Sequence, residues 1–147
     1  MKKILILNGP NLNLLEKRDP KIYGNSGLKK AEKNCTQLAK ELGIEIEFKQ
    51  SNFEGEIVEQ IQQAIDKFDA IIINAAAYTH TSVAIRDALE MFGGAKVELH
   101  ISNIFKREEF RQKSFLSDVV DAVISGFGID GYSLALLGTN DLISMKK

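Results

Sequence analysis

The chain has 147 residues, of which 44% are hydrophobic and 27% charged, and its net charge is −1. That length suits one domain and allows roughly two-thirds of the unfolded surface to be buried. Basic and acidic residues are interspersed, so there is no clustered patch to track phosphates, which argues against nucleic acid; no stretch approaches the roughly 18 apolar residues of a membrane span.

The start, Met1-Lys-Lys-Ile-Leu-Ile-Leu7, superficially resembles a signal peptide, but its apolar run is too short and Asn8-Gly9-Pro10 breaks it at once. Ile4 to Leu7 instead reads as a strand buried on both faces. Residues 9–27, rich in Gly, Pro, Asn and Asp, read as a long loop of the kind that serves as a lid or binding loop. Leu28, Ala31, Cys35, Leu38, Ala39 and Leu42 fall at helical spacing, with Gly43 as the stop. Cys35, the single cysteine, excludes an internal disulfide and fits a reducing, cytoplasmic setting. Among these apolar positions it is expected to be a buried, inert thiol.

Ile44 to Lys49 alternates as a strand. Asn52 is placed to cap the next helix, with Glu54 and Glu56 in its first turn and Ile57, Ile61, Ala64, Ile65 and Phe68 as its apolar stripe. Ala70 to Ile73 reads as a third strand, residues 80–92 as a helix, Val97 to Ile101 as a fourth strand, Ala122 to Ile124 as a fifth, and roughly 130–144 as the last helix. Five strands alternating with helices predict an α/β three-layer sandwich on a parallel sheet, with the flavodoxin-like order 2-1-3-4-5. The reading is of a single catalytic domain over residues 1–147, with an active-site loop at about 9–27.

In such sheets ligands bind beyond the carboxyl ends of the strands, near the switch in strand order. After the first strand come Asn8 and Asn11, then Arg18 and Tyr23. After the third come Asn74, Tyr78 and His80, and at the end of the fourth Glu98, His100 and Ser102. A lone histidine is ordinarily a satisfied structural residue; two at converging strand ends put a functional role on an equal footing. Glu98 and His100 share one face of a strand. With His80 they make a conceivable metal set, but one carboxylate and two imidazoles fit better as a carboxylate orienting one imidazole.

Arg18 and Tyr23 have a plain reading as a solvated cation and a packing aromatic. The chemical reading is electrostatic. A free tyrosine ionises near pH 10. A guanidinium about 4 Å away, at an effective dielectric near 20, stabilises the phenolate by about 4 kcal/mol and makes Tyr23 a usable general base. Gly126-Phe-Gly-Ile-Asp-Gly131 matches a dinucleotide-binding fingerprint, but only 16 residues follow it and no strand remains to carry the acidic partner. Close packing of the last strand and helix explains it better.

Asn8-Gly-Pro-Asn-Leu-Asn-Leu-Leu15, Arg18 to Tyr23, Ala77-Tyr-Thr-His-Thr-Ser82 and Glu98-Leu-His-Ile-Ser-Asn103 resemble, in order and spacing, segments of the type II dehydroquinate dehydratases. The resemblance covers nearly the whole chain. It implies dehydration of 3-dehydroquinate to 3-dehydroshikimate by anti elimination through an enolate, in the shikimate pathway or quinate catabolism. It further implies a flavodoxin-like fold, no cofactor and no metal, and a homododecamer built as four trimers. By the same resemblance Tyr23 matches the proton-abstracting tyrosine, Arg18 the arginine that favours its phenolate, His100 the general acid and Glu98 its orienting carboxylate. Asn11 matches an asparagine acting through the enolate-stabilising water. Asn74, the Ile101 backbone and Ser102 match carboxylate-binding groups, His80 and Arg111 match ring-hydroxyl contacts, and Asp87 matches an aspartate that reaches a neighbouring subunit's site.

The sequence departs from the family pattern at Glu16, usually glycine, and at Ala75-Ala76, commonly Pro-Gly. Phe105-Lys106 also departs, and Gly93-Gly94 is expected to loosen the approach to the fourth strand. Three other readings of the same fold are weaker. A flavin or nucleotide module needs a phosphate cradle where Pro10 stands. A signalling receiver needs acids where Asn8 and Asn74 stand. A non-catalytic assembly protein would not need Arg18, Tyr23 and His100.

Overall fold

In a computed structural model that describes residues 1–17 and 27–146, five parallel strands form one sheet in the order β2-β1-β3-β4-β5. The strands are β1 (Lys3–Asn8), β2 (Glu45–Gln50), β3 (Ala70–Asn74), β4 (Ala95–His100) and β5 (Ala122–Ser125). The helices are α1 (Leu28–Leu42), α2 (Glu54–Ala64), α3 (Val83–Met91) and α4 (Asp130–Lys146). The order and class are those expected.

Strand alternation splits the core in two. Ile4 and Ile6 of β1 and Ile72 of β3 pack with Ala31, Cys35 and Ala39 of α1 and Tyr132, Leu136 and Ile143 of α4. Leu5, Leu7, Ile71 and Ile73 point the other way, against Ile57 and Ile61 of α2 and Ile85 and Leu89 of α3. Successive residues of β1 and β3 are therefore apolar without exception between their ends, because both faces are covered. Each fully buried Ile or Leu contributes about 1.5–3 kcal/mol. Cys35 sits in the first of these cores, where burial pushes its thiol up to about 12, so it is not a nucleophile.

Several boundaries differ from expectation. Residues 9–27 are not wholly irregular: Leu12–Lys17 forms a 3-10 helix that buries Leu12 and Leu15. The rest of that loop, with Arg18 and Tyr23, lies outside the described residues. Asn52 does not cap α2. The capping position is Phe53, which offers no side-chain acceptor, and the Phe53 amide instead donates to Ser51 Oγ at 3.0 Å. Ile65 and Phe68 lie past the end of α2 yet still pack on its core. The helix expected over 80–92 begins at Val83, because Ser82 caps it by accepting from Ile85 N at 2.9 Å and residues Ala76–His80 form a separate 3-10 turn. Gly94 does not loosen the entry to β4: a Cβ there would lie 2.4 Å from the Asp69 carbonyl oxygen, so the backbones touch.

Register sets the site. Asn8 pairs with Gln50 on one side and Asn74 on the other, so three amide side chains end adjacent strands in a row. Ile73 pairs with Glu98, and His100 with Ser125. The 3-10 turn after β3 therefore brings His80 toward the end of β4.

Candidate active site

A cleft of ≈ 460 Å³ opens beyond the carboxyl ends of β1, β3 and β4, the position expected for this topology. Asn11, Asn74, His80, His100, Ile101, Ser102 and Arg111 all line it. Glu98 stands one layer behind.

The Glu98–His100 pair is the buried charge of the site. Glu98 is fully buried and His100 is 5% exposed. Glu98 Oε2 meets His100 Nε2, and Glu98 Oε1 accepts from Ser117 Oγ at 2.6 Å. Burial raises the Glu98 carboxyl, but hydrogen bonds from His100, Ser117 and Ser114, with the His100 charge, outweigh it and hold the group below its ordinary range. An ionised Glu98 makes Nε2 of His100 the donor, so any second proton on the ring must sit on Nδ1. Such a pair holds one imidazole in a fixed orientation and tautomer. Among the described residues no three His, Cys, Asp or Glu side chains are arranged to hold a metal ion.

His80 is tuned in the opposite sense. Its Nδ1 lies 2.6 Å from the Lys113 carbonyl and must donate to it, which leaves Nε2 as an acceptor in the neutral ring. Burial lowers its pKa below the ordinary 6.5, with the bond to Lys113 opposing. Both groups resist protonation in the fold more than in the unfolded chain. Their stabilisation is therefore complete above about pH 6.5 and is lost as pH falls, first through His80 and then through Glu98. Thermal melts from neutral to acidic pH should show this decline, and His80→Gln should remove its upper stage. An unchanged slope in that variant would contradict the assignment.

Asn11 takes a left-handed backbone, φ 69°, which asparagine tolerates better than most residues. Asn52 holds it there: its Oδ1 accepts from Asn11 N at 2.9 Å and from Gln50 Nε2 at 3.1 Å, and Gln50 also donates to the Gly9 carbonyl at 3.1 Å. Gly9 is required by contact, since a Cβ would lie 2.4 Å from the Ala75 carbonyl oxygen. The Gly9 amide is bonded to Asn74 O at 2.8 Å, Pro10 has none, and the Asn11 amide is committed to Asn52. Residues 9–11 thus offer no free backbone donor to a phosphate.

Asp87 is exposed on α3 and does not line this cleft. Its neighbour Arg86 grips Asp118 with both terminal nitrogens and donates to the Phe115 carbonyl at 2.8 Å. That contact fastens the segment carrying Ser117 to α3.

The sequence model of the family described as dehydroquinase class II matches residues 2–139. The chain belongs to this family. It is similar to a 3-dehydroquinate dehydratase of Prochlorococcus marinus, 56% identical over 146 residues and covering 99% of both chains. It is also similar to one of Bartonella henselae, 59% identical over 133 residues and covering 90% of each. Among solved structures, a type II dehydroquinase of Butyrivibrio crossotus superposes with a TM-score of 0.92 at 45% identity, covering 95% of this chain and 97% of that one.

Within the class II dehydroquinase pattern two departures now have a place. Ala76, where glycine is common, sits at φ 52°, a left-handed conformation that costs an L-residue about 1–2 kcal/mol; its amide is held by Asn74 Oδ1 at 3.2 Å. Glu16 lays its carboxylate over Gly27, at the start of α1, whose first turn has no acid of its own. A negative charge there is favourable. Lys17 and Arg107 also line the cleft, and Ser117, Gln50 and Asn52 support it; sequence reading assigned a role in the site to none of them. Gln50 alone was open to inference, as the residue ending β2 beside Asn8.

Proposed function

We propose that this chain dehydrates 3-dehydroquinate to 3-dehydroshikimate by anti elimination through an enolate, as a hydro-lyase of the shikimate pathway or of quinate catabolism. The observation that carries the reading is the buried Glu98–His100 pair at the floor of the cleft, in a chain of the class II dehydroquinase family.

Tyr23, ionised through Arg18, removes the proton beside the ketone. Groups around Asn11, through a water, stabilise the enolate oxygen. His100 gives its Nδ1 proton to the departing hydroxyl, which leaves as water. The electron pair left by the C–H bond becomes the new carbon–carbon double bond, so the step needs no cofactor. Asn74, the Ile101 backbone and Ser102 bind the carboxylate. His80 Nε2 accepts from one ring hydroxyl and Arg111 contacts another. We read residues 1–147 as one catalytic domain in the cytoplasm. A homododecamer in which Asp87 reaches a neighbouring site accounts for that residue's distance from its own cleft. Sedimentation as twelve chains is expected, and a fully active monomer would refute the shared site.

Trapping separates this route from dehydration through a lysine imine. Borohydride added with 3-dehydroquinate should neither inactivate the protein nor add ligand mass. A stable adduct would overturn the enolate route.

A further inference from the structure

The first turn of α4 places one side chain that the mechanism does not use. Tyr132 is 1% exposed, packed with its ring centroid 5.8 Å from that of Phe48. Its hydroxyl donates to Asn8 Oδ1 at 2.6 Å and accepts from Asn74 Nδ2 at 3.0 Å. Asn8 Nδ2 donates to the Lys49 carbonyl at 3.1 Å, and Asn74 Oδ1 accepts from Ala76 N at 3.2 Å.

These bonds have only one consistent direction. The Lys49 carbonyl can only accept, so it fixes which end of the Asn8 amide faces Tyr132. Asn8 Oδ1 then takes the single phenol proton, and the phenol can offer Asn74 only a lone pair. The Asn74 amide must therefore present Nδ2 to Tyr132, the second N–H of that group has no partner among the described residues, and Asn74 itself lines the cleft. Burial also raises the phenol's pKa, which keeps the proton in place.

We propose that Tyr132 is a positioning residue for substrate binding: the Lys49–Asn8–Tyr132 relay, together with the Ala76 amide on Asn74 Oδ1, holds the orientation of the Asn74 amide and so aims its free N–H at the substrate's carboxylate. This rests on the reading of Asn74 as a carboxylate-binding group. Neither Asn8 nor Tyr132 lines the cleft, so each can act on substrate only through Asn74.

The test is a double-mutant cycle on steady-state kinetics with 3-dehydroquinate. Tyr132→Phe keeps the ring and removes the hydroxyl. It should raise KM about tenfold, the value of one well-placed hydrogen bond, with a much smaller change in kcat. Asn74→Ala should raise KM by at least as much, and the double variant should be no worse than Asn74→Ala alone. Asn8→Ala should behave as Tyr132→Phe does and serves if that variant fails to fold. If Asn74→Ala binds substrate like the wild type, the Asn74 reading fails and the proposal with it. If Asn74→Ala is impaired but Tyr132→Phe has a wild-type KM, or the two effects multiply, only the relay is overturned.

Discussion

Replacing His100 by alanine is expected to lower kcat about 10²–10⁴-fold, the range removed with a general acid, while the protein stays folded. Hydroxide is a poor leaving group, so the carbon–oxygen bond breaks only as a proton arrives. Among the described residues lining the cleft, His100 alone is backed by a fully buried carboxylate. That carboxylate fixes Nε2 as the donor to Glu98 and leaves Nδ1 for a transferable proton, whereas burial lowers the pKa of His80. The substitution leaves Glu98 buried with serine partners only, so some stability is lost as well. Circular dichroism and a melting curve therefore accompany the kinetics. Glu98→Gln should also reduce kcat, because an amide, which can donate as well as accept, no longer fixes which ring nitrogen carries the proton. A folded His100→Ala variant within about tenfold of wild-type kcat would remove His100 from the chemistry.

Tyr23→Phe is expected to cost a similar 10²–10⁴-fold, roughly the contribution of a general base. Its partner gives the sharper result. Arg18→Ala should be impaired at neutral pH and should recover as pH rises toward 10, where a free tyrosine ionises unaided. Activity in the Arg18→Ala variant that stays flat across that range would break the link between the two residues. Tyr23→Phe at near wild-type rate would require a different base.

The sheet was legible because its central strands are buried on both faces. Ile4 to Leu7 and Ala70 to Ile73 admit no polar residue, and each is followed by a polar strand end and a turn. From the strand order alone, Asn8, Asn74, His80 and His100 could be placed at one edge. Helix starts were less legible. Asn52 has the composition of a cap, but its side chain is taken by Asn11 and Gln50, a contact between segments 41 residues apart that no local rule foresees. Gly93-Gly94 looked permissive, yet Gly94 is in fact a close approach to Asp69. Tyr132 and Ser117 carried no signal, since their roles depend on partners that the folded sheet supplies. Asp87 gained weight only from the family resemblance, whereas for Arg18 and Tyr23 an electrostatic argument stood beside the ordinary reading of a solvated cation and a packing aromatic.

The most direct measurement is turnover by the purified chain with 3-dehydroquinate as the only addition, followed by the rise of conjugated-enone absorbance and by identification of the product. The account predicts steady formation of 3-dehydroshikimate that is lost in the Tyr23→Phe and His100→Ala variants. Absence of product from folded wild-type protein, or wild-type rates in both variants, would contradict it.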